Sequence, residues 1–511
     1  MKPSFDKALC EGMNRLVWHA FVCSPDSTGV PGQQYFAGTH LNPKVTWWNM
    51  SAPFFGYINR CQWMLQQGRF VADALYYYGD GVPNFSQLKK SDPARVLPGF
   101  DYDVITEEAL LTRTSVRNSR IVLPDGMNYR VLVLANHDVI SLPVLEKIRG
   151  LVAAGATVIG PKPAKGETLQ DYPACDGKIR KLADEVWADC DGIKVKERNF
   201  GKGRVFSGET ARQVLQADGV SPDCQAERRT PARLDGERLH AEAVLGAPLD
   251  LDYIHRAAGN TDIYFVANRS TNAVSANCEF RVLGRVPELW NPVTGERKLA
   301  TAYDNDGKTG RTIVPLDFAP CGSWFVVFRD SATRHPATAK SNSATLAVVL
   351  ELAGPWMVHF DPKWGGPVAA EFERLVSWTA RPEPGIKFYS GTASYEKTFS
   401  ISDSAFRAPH SPLWLDLGNV RELAEVRVNG KSCGTSWSPP FRLDISFAVK
   451  PGMNKLEIAV VNFWPNRIIG DASLPPEQRL TQTNIRNLTA NMPLMESGLF
   501  GPVQILRETS R

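Results

Sequence analysis

Short segments of alternating apolar and polar residues fill the second half of the chain, and this pattern limits the fold more than any other feature. Residues 263–268 and 454–462 show the two-residue period of strands. An Asn-Gly pair at 429–430 is typical of a two-residue hairpin turn. The spacing of such segments predicts a small β-sandwich over residues 249–329 and a jelly-roll-like β-sandwich over residues 345–511.

Residues 99–219 have a different pattern, in which short apolar strands flank a helix. Residues 129–134 and 157–160 suit buried strands, and residues 142–154 carry apolar side chains at helical spacing. This is the βαβ unit of a flavodoxin-like, doubly wound α/β domain. The turn at residues 135–138 lacks the Gly-x-Gly-x-x-Gly pattern, so no dinucleotide cofactor is expected.

Residues 1–98 have the pattern expected of the C-terminal part of a (β/α) barrel. Residues 14–21 suit a buried strand, residues 53–67 a helix that Gly68 ends, and residues 70–80 a second buried strand. One or two such units cannot close a barrel. Either earlier barrel strands belong to sequence that is not present here, or the segment is an independent βα layer.

The predicted fold class is therefore multidomain, α/β followed by all-β, which suits a chain of 511 residues. The 58 basic and 54 acidic residues give a net charge of +4 with no dense basic run, so nucleic acid is not an expected partner. No apolar run has transmembrane length, so no membrane partner is expected either. Nine scattered Cys residues without Cys-x-x-Cys spacing predict neither a zinc site nor a disulfide framework.

Aromatic residues are numerous, with 13 Trp and 24 Phe, and several Trp residues lie in polar or Gly/Pro-rich surroundings. Sugar rings present apolar faces that stack on indole rings, so this surplus suits a protein that handles carbohydrate. The alternative is that most of these side chains fill sandwich cores, because large aromatic residues are mostly buried.

Two groups of short strings, in a consistent order along the chain, resemble one protein family. The first group comprises residues 6–8, 12–15, 19, 38–42, 46–48, 57, 60, 65–68 and 71–73. The second comprises residues 287–292, 428–430, 462–467, 470–471 and 497–503. Together they resemble glycoside hydrolase family 106, the α-L-rhamnosidases. The final domain is similar to the sugar-binding sandwich of family 2 glycoside hydrolases.

The resemblance implies hydrolysis of terminal α-L-rhamnose in plant or bacterial polysaccharides, with inversion, by two carboxylates and a calcium ion near the sugar. Inversion requires carboxyl groups roughly 6.5–9.5 Å apart. The resemblance places the catalytic glutamates upstream of position 1, so an upstream catalytic half is an expected partner and neither glutamate is assigned here. A periplasmic or secreted location follows if the full-length protein carries a signal peptide.

Three hypotheses remain at this point. The chain is the C-terminal part of an α-L-rhamnosidase, or a non-catalytic carbohydrate-binding or structural fragment, or an enzyme complete as it stands. In the third case Glu11, Asp73 or Asp80 serves as acid and base. Glu11 and Asp80 are the weak catalytic candidates, Asp80 because it follows the end of a predicted strand.

Candidate substrate-binding residues lie in both halves. Asn14, Arg15 and His19 lie along the first predicted strand, with a buried, backbone-bonded histidine as the alternative for His19. His40 and Asn42 lie in a Gly-rich loop. For Trp47 and Trp48 two roles remain open. They stack on a sugar ring, or they pack into the core as a hydrophobic staple at the start of a helix.

In the final domain, Trp464, Asn466, Arg467 and Asp471 form a dense polar and aromatic cluster after a strand. Trp464 and Arg467 are substrate-binding candidates, and the cluster is also a candidate for a contact with the barrel segment. The alternative is a buried corner held by an Arg467–Asp471 ion pair.

Overall fold

The computed structural model describes residues 1–36, 40–79, 85–229, 249–330, 339, 341–403 and 412–509. Within these residues the chain forms an N-terminal part, an α/β unit and two antiparallel β-sandwiches. None of the helices in these ranges is both long enough and apolar enough to cross a membrane.

The N-terminal part packs its helices on the first sandwich. Helix α2 ends before Gly68, as predicted, and Gly68 has a φ of 58°. A Cβ there would lie 2.1 Å from the Ala257 carbonyl oxygen, so only glycine fits this turn. The elements of this part are α1 (Lys2–Cys10), β1 (Pro31–Gly32), α2 (Ala52–Leu65) and β2 (Arg69–Phe70).

The α/β unit is built on a six-stranded sheet. Its elements are β3 (Ala74–Tyr77), β4 (Tyr102–Ile105), α3 (Glu107–Arg113), β5 (Ser115–Arg117), β6 (Arg120–Val122), β7 (Asn128–Tyr129), β8 (Val131–Leu134), β9 (Val139–Ile140), α4 (Leu142–Ala154), β10 (Thr157–Ile159), β11 (Lys165–Gly166), α5 (Ala174–Trp187), β12 (Glu197–Phe200), β13 (Gly203–Phe206) and α6 (Ala211–Ala217). The strand order is β12-β13-β10-β8-β3-β4, parallel except for β12. Both faces are covered, which explains the unbroken apolar runs of β3 and β8.

The first sandwich consists of a six-stranded sheet packed on a four-stranded sheet. Its strands are β14 (Cys224–Arg228), β15 (Leu251–Ala258), β16 (Thr261–Asn268), β17 (Val274–Phe280), β18 (Val286–Trp290), β19 (Arg297–Leu299), β20 (Asp304–Asp306), β21 (Arg311–Phe318) and β22 (Ser323–Arg329). The sheet orders are β19-β18-β22-β16-β15-β2 and β14-β17-β21-β20, so β2 supplies an edge strand. In β16, Tyr264 faces the sandwich core, whereas Phe265 faces the N-terminal helices.

The final sandwich also has two antiparallel sheets around one core. Its elements are β23 (Leu346–Glu351), β24 (Trp356–His359), β25 (Ala370–Phe372), α7 (Pro384–Lys387), β26 (Gly391–Ile401), β27 (Leu413–Asp416), β28 (Asn419–Arg421), β29 (Leu423–Val428), β30 (Lys431–Ser436), β31 (Arg442–Asp444), β32 (Gly452–Asn462), α8 (Pro465–Ala472), β33 (Gln482–Thr483), β34 (Gly498–Gly501) and β35 (Gln504–Glu508). The sheet orders are β23-β35-β27-β31 and β25-β24-β26-β32-β29-β30. Its jelly-roll topology stays a prediction.

A network of buried and half-buried charges, here called the charged junction, joins the α/β unit to the first sandwich. It consists of Asp73, Asp223, His255, Asp262 and Arg281. His255 lies between two carboxylates, with Nδ1 3.0 Å from Asp223 Oδ2 and Nε2 2.9 Å from Asp262 Oδ1. Arg281 lies 3.0 Å from Asp73 Oδ2 and 3.3 Å from Asp223 Oδ1, so it connects the two units.

The charged junction holds His255 as a cation. Burial by itself lowers the pKa of an imidazole. The charges and hydrogen bonds of Asp223 and Asp262 outweigh this burial and raise the pKa of His255 to about 9. In return, the pKa of buried Asp223 is lowered against the effect of its own burial, by His255 and then by Arg281.

The structure corrects two predictions for the N-terminal segment. Residues 14–21 form no strand, although they have the composition of one. A strand needs a neighbour that completes its backbone hydrogen bonds, and residues 14–21 pair with none in the described part of the chain.

The second predicted barrel strand does form, as β3, but it lies in the interior of the α/β sheet between β8 and β4. The α/β unit therefore begins at Ala74 rather than at residue 99. The first sandwich likewise begins earlier than predicted, at Cys224 rather than at residue 249. A βα barrel is not formed by the described residues before Ala74.

Candidate functional site

Residues 14–23 form an extended segment with two different faces. Leu16 and Trp18 pack inward on the N-terminal core. Arg15 and His19 point away from that core and are exposed, as are Val17 and Phe21 at 83% and 64%. We call the solvent-facing side chains Arg15, Val17, His19 and Phe21 the outward face. Two exposed apolar side chains beside a cation and an imidazole form a surface suited to a partner or ligand.

Helix α2 fixes this segment in place. Gln66 Nε2 donates to the Asn14 carbonyl at 2.8 Å, and Gln62 Oε1 accepts from the Leu16 amide at 2.5 Å. The Trp18 ring packs on Phe5 with centroids 5.5 Å apart. The outward face is therefore held rigidly, although no strand pairs with it in the described part.

More aromatic rings extend the outward face. The His19 ring lies edge-on to Tyr35 at 5.0 Å, and Tyr35 lies 4.5 Å from Phe36, which is 91% exposed. His40 is exposed too, and partial burial lowers its pKa, but no ring contact in the described ranges joins it to the outward face. These rings offer apolar faces and imidazole nitrogens, the two features needed to hold a sugar.

The other N-terminal candidates are buried or half-buried. Asn42 is buried, and its Oδ1 accepts from the Lys44 amide at 2.9 Å, while no hydrogen bond reaches its Nδ2 in the described structure. Trp47 is buried against Phe54, as the core alternative predicted. Trp48 is half-buried, with its ring 6.1 Å from Phe21 of the outward face.

In the final domain, the predicted cluster forms a buried corner. Trp464 is 9% exposed, donates from Nε1 to the Lys44 carbonyl at 2.7 Å and meets Trp364 edge-on at 4.6 Å. Arg467 Nε lies 3.1 Å from Asp471 Oδ1, so the predicted corner ion pair is present. Trp464 also makes the predicted contact with the N-terminal segment, but little of its ring is left for a sugar.

The remaining member of the cluster, Asn466, is also buried. It exchanges two hydrogen bonds with the Met495 backbone, at 2.7 and 2.8 Å. Its amide is fully used in holding the corner, which favours the structural alternative for this part of the cluster.

A cleft of about 490 Å³, here called the interdomain cleft, lies beside this corner and was not predicted. Trp364, Lys363 and Arg479 line it on the final domain, and Gly29 lines it on the N-terminal segment. The Lys363 ammonium lies 5.1 Å from the Trp364 ring centroid. An aromatic face with two cations suits a hydroxyl-rich or acidic ligand.

Backbone pairing closes one end of the interdomain cleft. β1 pairs in parallel with β33, and Gln34 exchanges two hydrogen bonds with the Asn484 side chain, at 2.8 and 2.9 Å. The lining residues come from three distant segments of the chain, so sequence spacing could not group them. The single local signal was Trp364 before two glycines.

Four carboxylates belong to the described residues before Ala74, and each has a cationic partner. Asp6 lies 2.6 Å from Lys2 Nζ and accepts from Tyr57 OH, and burial raises its pKa. Three further pairs complete the set: Glu11 with Lys7 at 3.8 Å, Asp26 with Lys44 at 3.7 Å, and Asp73 with Arg130 at 2.9 Å. Asp80 lies outside the described residues.

Glu11, one of the two weak catalytic candidates, does not face solvent. Its carboxylate is largely buried, and Oε2 has no hydrogen-bond partner among the described residues. Since a lone buried carboxylate needs a second one for acid–base hydrolysis, Glu11 by itself forms no catalytic pair.

For calcium, which the resemblance implied, the described ranges contain no cluster of carboxylate ligands. No group of three or more His, Cys, Asp or Glu side chains there could hold a metal ion. Calcium prefers six to eight oxygen ligands, largely from carboxylates. We therefore assign no residue of this chain to a metal and derive no step through one.

Two comparisons with known proteins point to the same family. Residues 1–304 match the family model of glycoside hydrolase 106, α-L-rhamnosidase. The solved structure of a rhamnosidase from Novosphingobium sp. PP1Y is 32% identical, with a TM-score of 0.84 over 99% of this chain and 46% of that one.

A curated protein of Formosa agariphila, named "Putative beta-glucuronidase", is 24% identical over 99% of this chain and 61% of its own length. The chain thus spans less than two thirds of either relative.

Proposed function

Because the chain belongs to the α-L-rhamnosidase family of glycoside hydrolases, we propose that it takes part in cleaving terminal α-L-rhamnose from plant or bacterial polysaccharides. The observation that carries this proposal is the outward face, a rigid aromatic and cationic surface within the region that matches the family model. A periplasmic or secreted location goes with this proposal.

We further propose that a catalytic half, present in the longer protein, packs along the outward face and supplies the acid and base. Two observations support this. The chain spans less than two thirds of the length of each relative. Residues 15–21 alternate between exposed and inward-facing side chains, as in a strand, but pair with no strand among the described residues. Pairing would complete the backbone hydrogen bonds of this segment and cover Val17 and Phe21.

We assign the catalytic acid and base to the proposed catalytic half because the N-terminal carboxylates of this chain do not form such a pair. Inversion needs an acid at the leaving oxygen and a base that activates water, on groups roughly 6.5–9.5 Å apart. Asp6, Asp26 and Asp73 each lie against a cation, and Glu11 has no carboxylate partner assigned. In this proposal His19 and Arg15 position sugar hydroxyl groups and take no part in proton transfer.

The test compares hydrolysis of an aryl α-L-rhamnoside by the 511-residue chain alone and by a chain extended to the length of its relatives. We expect background rates from the first and turnover with inversion, followed by NMR of the anomeric proton, from the second. In the extended chain, His19→Ala should raise KM or lower kcat, whereas Asn260→Ala, on an exposed turn, should change neither.

Turnover by the 511-residue chain alone that disappears in Glu11→Gln or Asp80→Asn would instead support an enzyme complete as it stands. The interdomain cleft favours a second candidate, a non-catalytic carbohydrate-binding part. Absence of hydrolysis in both chains, together with sugar binding that Trp364→Ala abolishes, would support that alternative.

A further inference from the structure

A separate groove of about 320 Å³ lies between helix α2 and the hairpin formed by β18 and β19. It shares no lining residue with the outward face or the interdomain cleft. Its lining is mostly apolar, with indole rings from both walls, and we call it the tryptophan groove. Trp63, Trp290, Asn59, Asn291 and Arg297 line it.

The helical wall presents one free indole ring. Trp63 is 58% exposed and stacks on no other aromatic or cationic group in the described ranges. Asn59 lies one helical turn before it, on the same exposed side of α2. An exposed tryptophan side chain on a packed helix gains the free energy of apolar burial only when a ligand or partner covers it.

The hairpin wall is held rigidly. Trp290 and Arg297 are directly paired across β18 and β19, and the Arg297 guanidinium lies 4.1 Å from the Trp290 ring centroid. Trp290 Nε1 donates to Glu288 Oε2 at 2.8 Å. Asn291, which lines the groove, accepts from the Val293 amide through Oδ1 at 2.9 Å, so its NH₂ group remains as a donor for a ligand.

The distance between the two walls is fixed by Arg60. Its Nε donates to the carbonyl oxygen of Pro292 and its Nη2 donates to that of Val293, both at 2.7 Å. Gly295 lies beside the same side chain, where a Cβ would sit 3.5 Å from Arg60 Cδ. A groove that is already formed loses little conformational freedom when a ligand binds.

We propose that the tryptophan groove binds a pyranose ring of the glycan substrate, at a place separate from bond cleavage. The apolar face of the ring stacks on Trp63, and its hydroxyl groups accept from Asn291 and Arg297 and exchange hydrogen bonds with Asn59. The choice of a sugar as ligand rests on the proposed function, whereas the existence of a binding site rests on the groove itself.

Such a site keeps the polysaccharide attached between cleavage events. A single ring held by one indole and a few hydrogen bonds binds with a Kd on the order of millimolar. A chain that occupies this groove and a second site together binds much more tightly, because the second contact is intramolecular.

Ligand-observed saturation-transfer NMR with methyl α-L-rhamnopyranoside and a rhamnose-containing oligosaccharide tests the proposal on the full 511-residue chain. Trp63→Ala should weaken binding at least tenfold, and Trp63→Phe, which keeps an aromatic face, should weaken it less than threefold. Phe447→Ala is the matched control, because Phe447 is equally exposed at 58% and belongs to the final sandwich. It should leave binding unchanged.

Three outcomes would overturn the proposal: no binding by the wild-type chain, binding unaffected by Trp63→Ala, or binding lost only in Trp364→Ala. A dimer in sedimentation analysis that Trp63→Ala dissociates would assign the groove to a second copy of the chain and also overturn it. None of these results bears on the proposed hydrolysis, because that proposal is tested separately by turnover of an aryl α-L-rhamnoside by the extended chain.

Discussion

The charged junction and the outward face differ in whether their side chains have partners within the described structure. At the charged junction, charged groups from the α/β unit and the first sandwich compensate one another inside the protein. At the outward face, Val17 and Phe21 remain in water although their inward neighbours are packed. The difference teaches that ion-paired groups hold two units together, whereas exposed apolar side chains beside a packed core leave a surface that a partner or ligand can cover.

The largest effect should come from breaking the charged junction. Arg281→Ala leaves Asp73 and Asp223 buried with less compensation, so we expect a loss of about 3–5 kcal/mol in the free energy of unfolding, measured by urea denaturation. Arg149→Ala, which removes the exposed ion pair with Glu185, is the matched control and should leave the midpoint unchanged. Equal midpoints for both variants would show that the charged junction stabilises the fold no more than an exposed ion pair does.

The Trp464 corner closes a boundary with packing rather than charge. Trp464→Ala removes a buried ring and its hydrogen bond to Lys44, and should cost about 3–4 kcal/mol. Trp464→Phe keeps much of the ring and should cost clearly less. If Trp464→Ala instead abolishes sugar binding without a change in stability, the corner is a binding site and resembles the outward face.

The charged junction should also make stability depend on pH. His255 has a pKa of about 9 in the folded chain and an ordinary value near 6.5 when unfolded. The stabilisation is complete below pH 6.5 and is lost as the pH rises through about 9, by up to about 3 kcal/mol. Thermal melting between pH 6 and pH 10 measures the slope, which His255→Gln should remove. A slope that survives in His255→Gln must arise elsewhere.

The smallest effect is expected at the outward face. Phe21→Ser should change the free energy of unfolding by no more than about 0.5 kcal/mol, because Phe21 is already in solvent. Trp18→Ala, three residues away on the inward side, should be clearly destabilising. A large loss in Phe21→Ser would show that the outward face is part of the core.

Local patterns predicted much of the fold. The helix expected at 142–154 is α4, and the Asn-Gly turn at 429–430 joins β29 to β30 with φ values of 52° and 79°. These elements follow from side-chain period and turn chemistry, which are local properties. Residues 14–21 show the limit, because their side chains suit a strand whereas a strand also requires a neighbouring backbone.

The candidate site was harder to predict, since its parts are distant in sequence. Trp464 looked equally suited to sugar and to a corner, and its partner is Lys44, 420 residues away. Gly29 lines the same cleft as Trp364 and Arg479, and the pairing of β1 with β33 holds it beside them. No spacing rule links such residues, and three-dimensional packing alone decides which tryptophans remain in solvent.

Residues 69–77 pass directly from one sheet to another: β2 is the edge strand of the first sandwich, and β3 is an interior strand of the α/β unit. These nominal domains are therefore not modules that gene fusion or engineering can exchange at the apparent boundary near residue 98. A cut there would take an interior strand from one unit and an edge strand from the other. Recombination between family members should succeed only where this whole crossing is inherited from a single parent.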